Sequence, residues 1–311
     1  MIVKRNTLYF MKPPPFSLWL CLLPLCSAWG NLAHRTIALI AEKHIILSPT
    51  SNFILSLLGN TSISDASIWA DDYKLLPEGR HTSNWHFLNT HDEPPQTCNV
   101  SYSYDTDHPC IIDAVANMTQ GVKDPSLRHQ ERKMALMFLL HLIGDLHCPL
   151  HVEGLMRGGN DIPVFWDGRE TSLHFVWDVS IPQRLTNSTE ENEETAAIAW
   201  AEKLSSQNQD SKQSPKQWPI RFNDKILNKV DSQETLLLSW AAETNLFVCR
   251  AVLKDGIDGV KGKEMSSHYY KESVPVVEYL IWNAGLRLAK WINELAREKS
   301  LQPVNSKQIV L

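Results

Sequence analysis

The sequence predicts an all-α fold: a mainly helical single domain with a small β-hairpin. The 311 residues are 43% hydrophobic and 21% charged, a globular composition that excludes disordered, collagen-like and coiled-coil chains. Apolar residues recur at helical spacing in several long stretches, and one Asp-Gly pair lies between two β-rich runs. No internal repeat or low-complexity domain is visible, so we expect a single domain.

The net charge excludes one class of function. Thirty Lys and Arg residues against 35 Asp and Glu residues give a net charge of -5. A protein held to nucleic acid by bulk positive charge would be basic, so any polyanion must be bound locally. The chain also has 11 Trp and 12 His residues, which favour sites where rings and imidazoles meet ligands or metals.

The amino-terminal segment has the pattern of a secretory signal peptide. Basic residues precede an apolar stretch, Phe16–Cys26, and the small residues Ser27 and Ala28 follow it. The stretch is too short, and too interrupted by a proline, to be a good membrane span. Translation from Met1 and translation from Met11 both leave a complete signal.

Cleavage after Ala28 defines three segments: a signal peptide (1–28), a domain (29–298) and a polar tail (299–311). Trp29 then becomes the mature amino terminus, and the charge becomes 27 minus 35, or -8. No later segment approaches the run of about 18 apolar residues that a membrane span needs. We therefore expect a soluble monomer without stable membrane association.

Two further patterns fit export. Four cysteines remain after cleavage, an even number that suggests disulfides but allows three pairings. Four sequons predict N-glycans and a eukaryotic secretory route, to the extracellular space or to a vacuolar or lysosome-like lumen. The cysteines are Cys98, Cys110, Cys148 and Cys249, and the sequon asparagines are Asn60, Asn99, Asn117 and Asn187.

The helical pattern predicts four main helices, and a hairpin interrupts them. An amphipathic helix is expected at 37–45, a buried central helix at 134–146, and long helices at 232–252 and 274–296. The hairpin is expected within 163–179, with Asp167-Gly168 between VFW and a β-rich run that ends in LHFVW. Polar stretches at 190–194 and 205–216 are interpreted as solvated helix ends or loops.

Two His-x-x-x-Asp pairs carry the chemical signal. His141 and Asp145 lie one turn apart on one face of the buried helix, and His174 and Asp178 repeat the spacing beyond the hairpin. A buried carboxylate needs an ion pair, a shifted pKa or a metal. One such pair is close to noise, but further His and Asp residues lie in short apolar contexts: His34, Asp71, His86 and His151.

These donors favour zinc. Nitrogen and oxygen ligands without thiolates suit a catalytic zinc site, and eight side chains suit two or three ions. His147 is rotated away from the ligand face, and Cys148 is interpreted as a packed thiol or a disulfide partner. The remaining histidines, interpreted as solvent-facing or structural, are His44, His81, His91, His108, His129 and His268.

With Trp29 added, this set resembles the ligand set of the S1/P1 nuclease family, secreted single-strand-specific nucleases with three zinc ions. The resemblance covers nearly the whole mature chain. Its motifs are Trp69-Ala-Asp71, Trp85-His86-Phe87, the stretch from His141 to His151 (HLIGDLHCPLH), Trp177-Asp178 and the final helix.

The resemblance implies a role for each ligand. One zinc would be held by Asp71, His86, His141 and Asp145; a second by the amine and carbonyl of Trp29 with His34 and the bridging Asp145; and a third by His151, His174 and Asp178. Because an amine inside an uncleaved chain is an amide, signal cleavage would create the second site.

The resemblance also implies the substrate contacts. Lys74 and Asn160 would stabilise the phosphate beside the catalytic Asp71 and Asp145. Phe87 would stack on a base, and Asn89 stands where the family has an Asp, which leaves the base preference open.

The reaction implied is hydrolysis of single-stranded RNA and DNA to 5'-phosphate products, with 3'-nucleotidase activity by the same chemistry. The resemblance makes Cys98 with Cys249 the expected disulfide and leaves Cys110 without an assigned partner. The alternatives are a zinc phospholipase C acting on phosphatidylcholine-type lipids, which shares this fold and metal site, and a secreted zinc-binding protein without activity.

Overall fold

The computed structural model describes residues 29–45, 48–103, 109–208 and 232–301. Within them the architecture is helical, with one two-stranded antiparallel sheet. The helices are α1 (Asn31–His44), α2 (Ser48–Leu58), α3 (Ile63–Leu75), α4 (Ile111–Lys123), α5 (His129–Asp145), α6 (Leu173–Phe175), α7 (Ile181–Thr186), α8 (Glu193–Asn208), α9 (Gln233–Phe247) and α10 (His268–Leu301). The strands are β1 (Pro163–Trp166) and β2 (Arg169–Ser172).

Shorter helical segments connect these elements near the predicted metal ligands. Two 3₁₀ helices, Arg80–His86 and Pro149–Val152, each contain a predicted ligand. π-helical turns follow α6 at Val176–Ser180 and α9 at Val248–Val252. A further 3₁₀ turn covers Ile257–Gly259.

The four predicted long helices are confirmed as α1, α5, α9 and α10. Local sequence explains several helix starts: the Ser62 hydroxyl accepts the Asp65 N–H at the start of α3, and the Glu131 carboxylate accepts the Arg128 N–H at the start of α5. The segment from residue 134 to the end of α5 is buried almost throughout, as its apolar sequence predicts. Helix α10 continues to Leu301, three residues beyond the predicted domain boundary.

The hairpin is confirmed, but it is shorter than predicted. Asp167 and Gly168 have φ angles of 51° and 72°, as a two-residue turn of this kind requires, and the strands pair from Pro163–Ser172 to Trp166–Arg169. The LHFVW run, expected to belong to the second strand, is helical instead, because the chain leaves β2 at Ser172, whose hydroxyl accepts the Phe175 N–H. In a strand, the side chains of His174 and Asp178 would lie far apart along the extended chain. In the helical conformation they lie one turn apart on the same face.

The core lies between α1, α3, α5 and α10. α1 packs along α10, where a Cβ on Gly285 would come within 2.5 Å of the Ile40 side chain, so the two helices approach closely. α5 packs on the other side against α3 and α4. Among the described residues no helix has both the length and the apolar character needed to cross a bilayer.

The cysteines and polar stretches take the following places. Cys98 and Cys249 form a disulfide, as the resemblance implies, while Cys110 and Cys148 are buried free thiols. α8 begins at Glu193 and ends at Asn208, so the polar stretches of 190–194 and 205–208 are helix ends. The signal peptide, His108, 209–216 and the tail from residue 302 lie outside the described residues.

Candidate metal centre and substrate cleft

Separate elements bring five of the predicted ligands into one buried group, which we call the inner cluster. α1, α3 and the 3₁₀ helix before Phe87 each supply one member, and α5 supplies two. Each residue is 0–6% exposed. α1 can approach α5 this closely because residue 144 is glycine: a Cβ there would lie 2.9 Å from the His34 Nδ1. The members are His34, Asp71, His86, His141 and Asp145.

Asp145 is the centre of the inner cluster. Its Oδ1 lies 3.1 Å from the His34 Nε2, and its Oδ2 lies 3.1 Å from the His141 Nε2 and 3.0 Å from the His86 Nδ1. The two carboxylate oxygens therefore face different sets of imidazoles. This is the arrangement of a carboxylate that can bridge two ions.

Asp71 completes the second side of this group. Its Oδ1 lies 3.4 Å from the His141 Nε2 and 3.5 Å from the His86 Nδ1. The same oxygen accepts a hydrogen bond from the Lys74 ammonium at 2.5 Å, one helical turn further along α3. Lys74 is thereby fixed against the cluster.

The outer cluster consists of His151, His174 and Asp178. The Asp178 Oδ2 lies 2.9 Å from the His174 Nε2 and 3.6 Å from the His151 Nε2. On its other oxygen, Oδ1, Asp178 accepts a hydrogen bond from the Cys148 thiol at 3.3 Å. Three donor atoms that converge in this way can hold one further cation.

Backbone carbonyls orient three of the histidines in the two clusters. The Nδ1 of His141 lies 2.7 Å from the Ser67 carbonyl, that of His151 lies 2.8 Å from the His86 carbonyl, and that of His174 lies 2.7 Å from the Gly158 carbonyl. A carbonyl only accepts, so each Nδ1 carries the proton and each Nε2 points into its cluster. Metal-ligating histidines are commonly held in this way.

The electrostatics of the inner cluster favour a positive charge between its carboxylates. Burial lowers the pKa of His86 to about 4, with a further contribution from the Lys74 charge. Burial also opposes charge on His141, but the carboxylates of Asp145 and Asp71 outweigh it and raise the pKa of that imidazole to about 10. The carboxylates thus retain a positive group between them.

The buried polar atoms test whether metal ions fit. Several lone pairs at the two clusters are buried and make no hydrogen bond, a costly arrangement unless something else binds them. All are nitrogen or oxygen donors of the kind that zinc accepts. Potential ligand atoms lie within 4.8 Å of one another in three groups: His34, His141 and Asp145; Asp71, His86 and His141; and Cys148, His151 and Asp178. Examples are the His34 Nε2, Asp71 Oδ2, Asp145 Oδ1, His151 Nε2 and Asp178 Oδ2.

A cleft of about 540 Å³ opens above these clusters. His86, His151 and His174 line its floor, so the ligands and the cleft form one site. The predicted substrate residues are brought to the same place: Lys74, Phe87, Asn89 and Asn160 all line it.

Trp29 lies next to the outer cluster. Its side chain is fully buried, and the following residue, Gly30, donates its N–H to the Asp178 carbonyl at 2.9 Å. A Cβ on Gly30 would meet that same carbonyl oxygen at 3.0 Å. The residues predicted to begin the mature chain are therefore packed against the segment that carries Asp178.

The structure adds residues that the sequence pattern did not single out. His91, Glu153 and Arg157 also line the cleft, and Cys148 contacts Asp178. His91 was interpreted as solvent-facing or structural; it is exposed and stands at the cleft. In the sequence, only its position directly before Gly158-Gly159-Asn160 indicates that Arg157 could lie near the substrate. His147, expected to lie away from the ligand face, is buried and contacts the Arg287 guanidinium at 2.8 Å.

Comparison with known proteins agrees with this geometry. The family model described as S1/P1 Nuclease matches residues 29–297. The chain is 36% identical to Nuclease S1 of Aspergillus oryzae over 90% of this chain and 96% of that protein. It is 33% identical to Nuclease P1 of Penicillium citrinum (86% and 97% covered) and 29% identical to Endonuclease 3 of Arabidopsis thaliana (87% and 90% covered). The family match and the identity to Nuclease S1, together with the buried clusters of His and Asp side chains that could hold metal ions, show that the chain belongs to the S1/P1 nuclease family.

Proposed function

We propose that this protein is a secreted, zinc-dependent endonuclease that hydrolyses single-stranded RNA and DNA to 5'-phosphate products and also removes phosphate from 3'-nucleotides. Membership of its family makes it a hydrolase of phosphodiester bonds. The observation that carries the finer proposal is the arrangement of two ligand clusters at the floor of a cleft whose wall includes Phe87.

Three zinc ions match the ligand groups. Asp71, His86 and His141 would hold one ion with the Asp145 Oδ2. His34 and the Asp145 Oδ1 would hold a second with the free amine and carbonyl of Trp29. The third ion belongs to the outer cluster of His151, His174 and Asp178.

Bound zinc ions would supply an activated water and a Lewis acid for the phosphate oxygens. The chain's own residues position the substrate. The Lys74 ammonium, held by Asp71, would place a positive charge beside the phosphate oxygens, on which negative charge develops. The Asn160 side chain lines the same cleft and is held in place by a bond from its Nδ2 to the Arg157 carbonyl at 2.8 Å. We propose that its side-chain amide binds a phosphate oxygen of the substrate.

The cleft explains a preference for single strands. Phe87 is partly exposed on the cleft wall, where its ring can stack on an unpaired base, with Asn89 beside it to bond the base edge. A duplex keeps its bases stacked on each other and cannot offer one to this ring. The negative net charge agrees, because binding would come from metal and stacking.

The proposal that the protein is exported rests on the signal-peptide pattern and on the exposure of the sequon asparagines. Residues 1–28 would be removed as a signal peptide to release the domain at 29–298. The four sequon asparagines, Asn60, Asn99, Asn117 and Asn187, are all exposed, as N-glycan attachment requires. The protein would act as a monomer in the extracellular space or in a vacuolar or lysosome-like lumen.

The test combines metal content with substrate choice. Protein purified after secretion should contain about three zinc ions per chain and should cleave single-stranded RNA or DNA faster than the duplex. A matched protein with one extra residue before Trp29 should lose zinc, because its amine is displaced. One zinc or none, unchanged by the extension, would refute the metal assignment.

The same preparation decides between the nuclease and its alternatives. Turnover of phosphatidylcholine without turnover of single strands would identify a zinc phospholipase C. Three bound zinc ions with no turnover of any phosphodiester would identify a zinc-binding protein without activity. The stacking position of Phe87 favours the nuclease.

A further inference from the structure

The loop between His151 and His174, two members of the outer cluster, has an unusual backbone. Met156, Arg157, Gly158 and Gly159 have successive φ angles of 50°, 55°, 60° and 78°, so all four lie in the left-handed region. L side chains rarely adopt this conformation, and Gly or Asn occupies it at lower cost. Two consecutive long side chains there call for an explanation.

The two glycines are explained by packing. A Cβ on Gly158 would lie 2.4 Å from the Leu150 carbonyl oxygen, and the Gly158 carbonyl accepts the proton of the His174 Nδ1. The turn therefore orients a ligand of the outer cluster. The packing of the glycines accounts for the backbone path. It does not explain why Met156 and Arg157, both with long side chains, occupy the two positions before them.

Arg157 differs from Met156 in where it lies. Arg157 lines the substrate cleft with Phe87 and Asn89. Its carbonyl accepts hydrogen bonds from the Asn160 N–H at 3.2 Å and from the Asn160 Nδ2 at 2.8 Å, which fixes its backbone beside that residue.

The charge of Arg157 is available at the rim. Besides the histidines, the basic side chains that line the cleft in the described part of the chain are Lys74 and Arg157. The Lys74 side chain is 11% exposed and bonded to Asp71, whereas the Arg157 side chain is 73% exposed. The Arg157 ion pair with Asp161, at 3.1 Å, is exposed on both sides and is easily exchanged for another anion.

We propose that Arg157 binds the phosphate of a neighbouring nucleotide, next to the phosphodiester that is cut, and so makes the enzyme prefer strands to dinucleotides. This inference rests on the proposed function. The scissile phosphate belongs at the floor, with the ligand clusters and Lys74. A second phosphate on the same strand must pass the rim, where a guanidinium can bind it in a bidentate manner.

The test uses two substitutions that relieve the same backbone strain. Arg157→Asn removes the guanidinium, and Met156→Asn is the matched control at the neighbouring left-handed position. Both variants should raise the melting temperature by roughly 1 to 3 °C, because Asn tolerates this conformation. Only Arg157→Asn should impair the use of a strand.

Activity is compared on a dinucleoside monophosphate, which has only the scissile phosphate, and on a single-stranded decamer. Arg157→Asn should lower kcat/KM for the decamer roughly fivefold to tenfold, mainly through KM, and leave the dinucleoside monophosphate unchanged. The slope of log kcat/KM against log salt should become shallower by about 0.7, the value for one lost phosphate contact on a single strand. Arg157→Lys should retain part of the effect.

Equal losses on both substrates, or no loss on either, would overturn the inference. A wild-type protein that cleaves neither substrate would instead refute the proposed function. Equilibrium binding of a decamer with a non-hydrolysable backbone then still decides the question, because it needs no turnover. In that measurement Arg157→Asn must weaken binding and flatten its salt dependence, whereas Met156→Asn must not.

Discussion

The Cys148 thiol positions Asp178, a predicted metal ligand of the outer cluster. It donates to the Asp178 Oδ1, which leaves Oδ2 facing His174 and His151. Neighbours that orient a ligand commonly affect metal affinity by about 10- to 100-fold when removed. The contact thus gives a buried, uncharged residue an influence on the proposed zinc site.

We expect Cys148→Ala to weaken zinc retention at the outer cluster by about tenfold or more, because Asp178 loses this donor. Cys148→Ser should retain most of the affinity, since a hydroxyl donates to the same oxygen. Zinc remaining after equilibration with graded chelator gives the measurement. Cys110→Ala, at the other buried free thiol, is the control, and equal retention in both alanine variants would contradict the prediction.

Glu153, which lines the cleft, makes the stability of the protein depend on pH. Burial raises the pKa of its carboxyl to about 7, and the nearby Asp92 carboxyl adds to the effect. Because the pKa in the folded protein lies above the ordinary glutamate value of 4.5, the stability gained from binding this proton is complete below about pH 4.5 and is lost as pH rises through 7.

We therefore expect Glu153→Gln to raise the free energy of unfolding by about 2 to 3 kcal/mol at pH 8 and to change it little at pH 4. The amide resembles the protonated acid and cannot ionise. Chemical denaturation at the two pH values measures the difference. An effect of equal size at both pH values would show that the carboxyl does not titrate as described.

At the scale of the elements, the approach of α1 to α5 decides whether the inner cluster can form. Gly144 lies between Ile143 and Asp145 on α5, where any side chain would press on the His34 ring. That ring also stacks on His141, with centroids 3.8 Å apart. The helix accepts a residue of low helical propensity here because the contact leaves no room for a Cβ.

We expect Gly144→Ala to lower the zinc content and the melting temperature, although alanine is favoured over glycine by about 1 kcal/mol inside a helix. The matched variant is Gly121→Ala on α4, where the new Cβ would meet only the Ala135 Cβ, at 3.3 Å, and the Leu127 side chain. That variant should be neutral or more stable. The same loss of zinc in both variants would contradict this account.

At the scale of the whole molecule, the disulfide joins distant parts of the chain. Cys98 lies in the loop before α4, and Cys249 lies in the π-helical turn after α9, 151 residues later. A crosslink that closes a loop of this length is expected to stabilise a protein by about 3 to 5 kcal/mol, chiefly through the unfolded state.

Replacing both cysteines, Cys98→Ser with Cys249→Ser, should therefore lower the melting temperature by roughly 10 °C. Calorimetry with and without reductant provides the control. Reductant should lower the transition of the wild-type protein and leave that of the double variant unchanged. A double variant as stable as the wild type would show that the crosslink contributes nothing to stability.

The sequence by itself determined the helical fold, the hairpin turn and the identity of the ligand candidates. These are encoded locally: apolar residues at helical spacing define α5, two positive φ angles suit Asp167-Gly168, and His and Asp four residues apart share one face of a helix. Sequence could also suggest the Cys98–Cys249 pair, but only through resemblance to a family.

Only the tertiary structure decided which residues meet. The LHFVW run, predicted as a strand, is helical, and the donors form two separate clusters. Cys148 contacts Asp178, and Arg157 lines the cleft. These outcomes depend on contacts between residues far apart in the chain, and no local spacing encodes them. The left-handed turn at residues 156–159 shows the reason most clearly, because its path is set by the Leu150 carbonyl and the His174 ring.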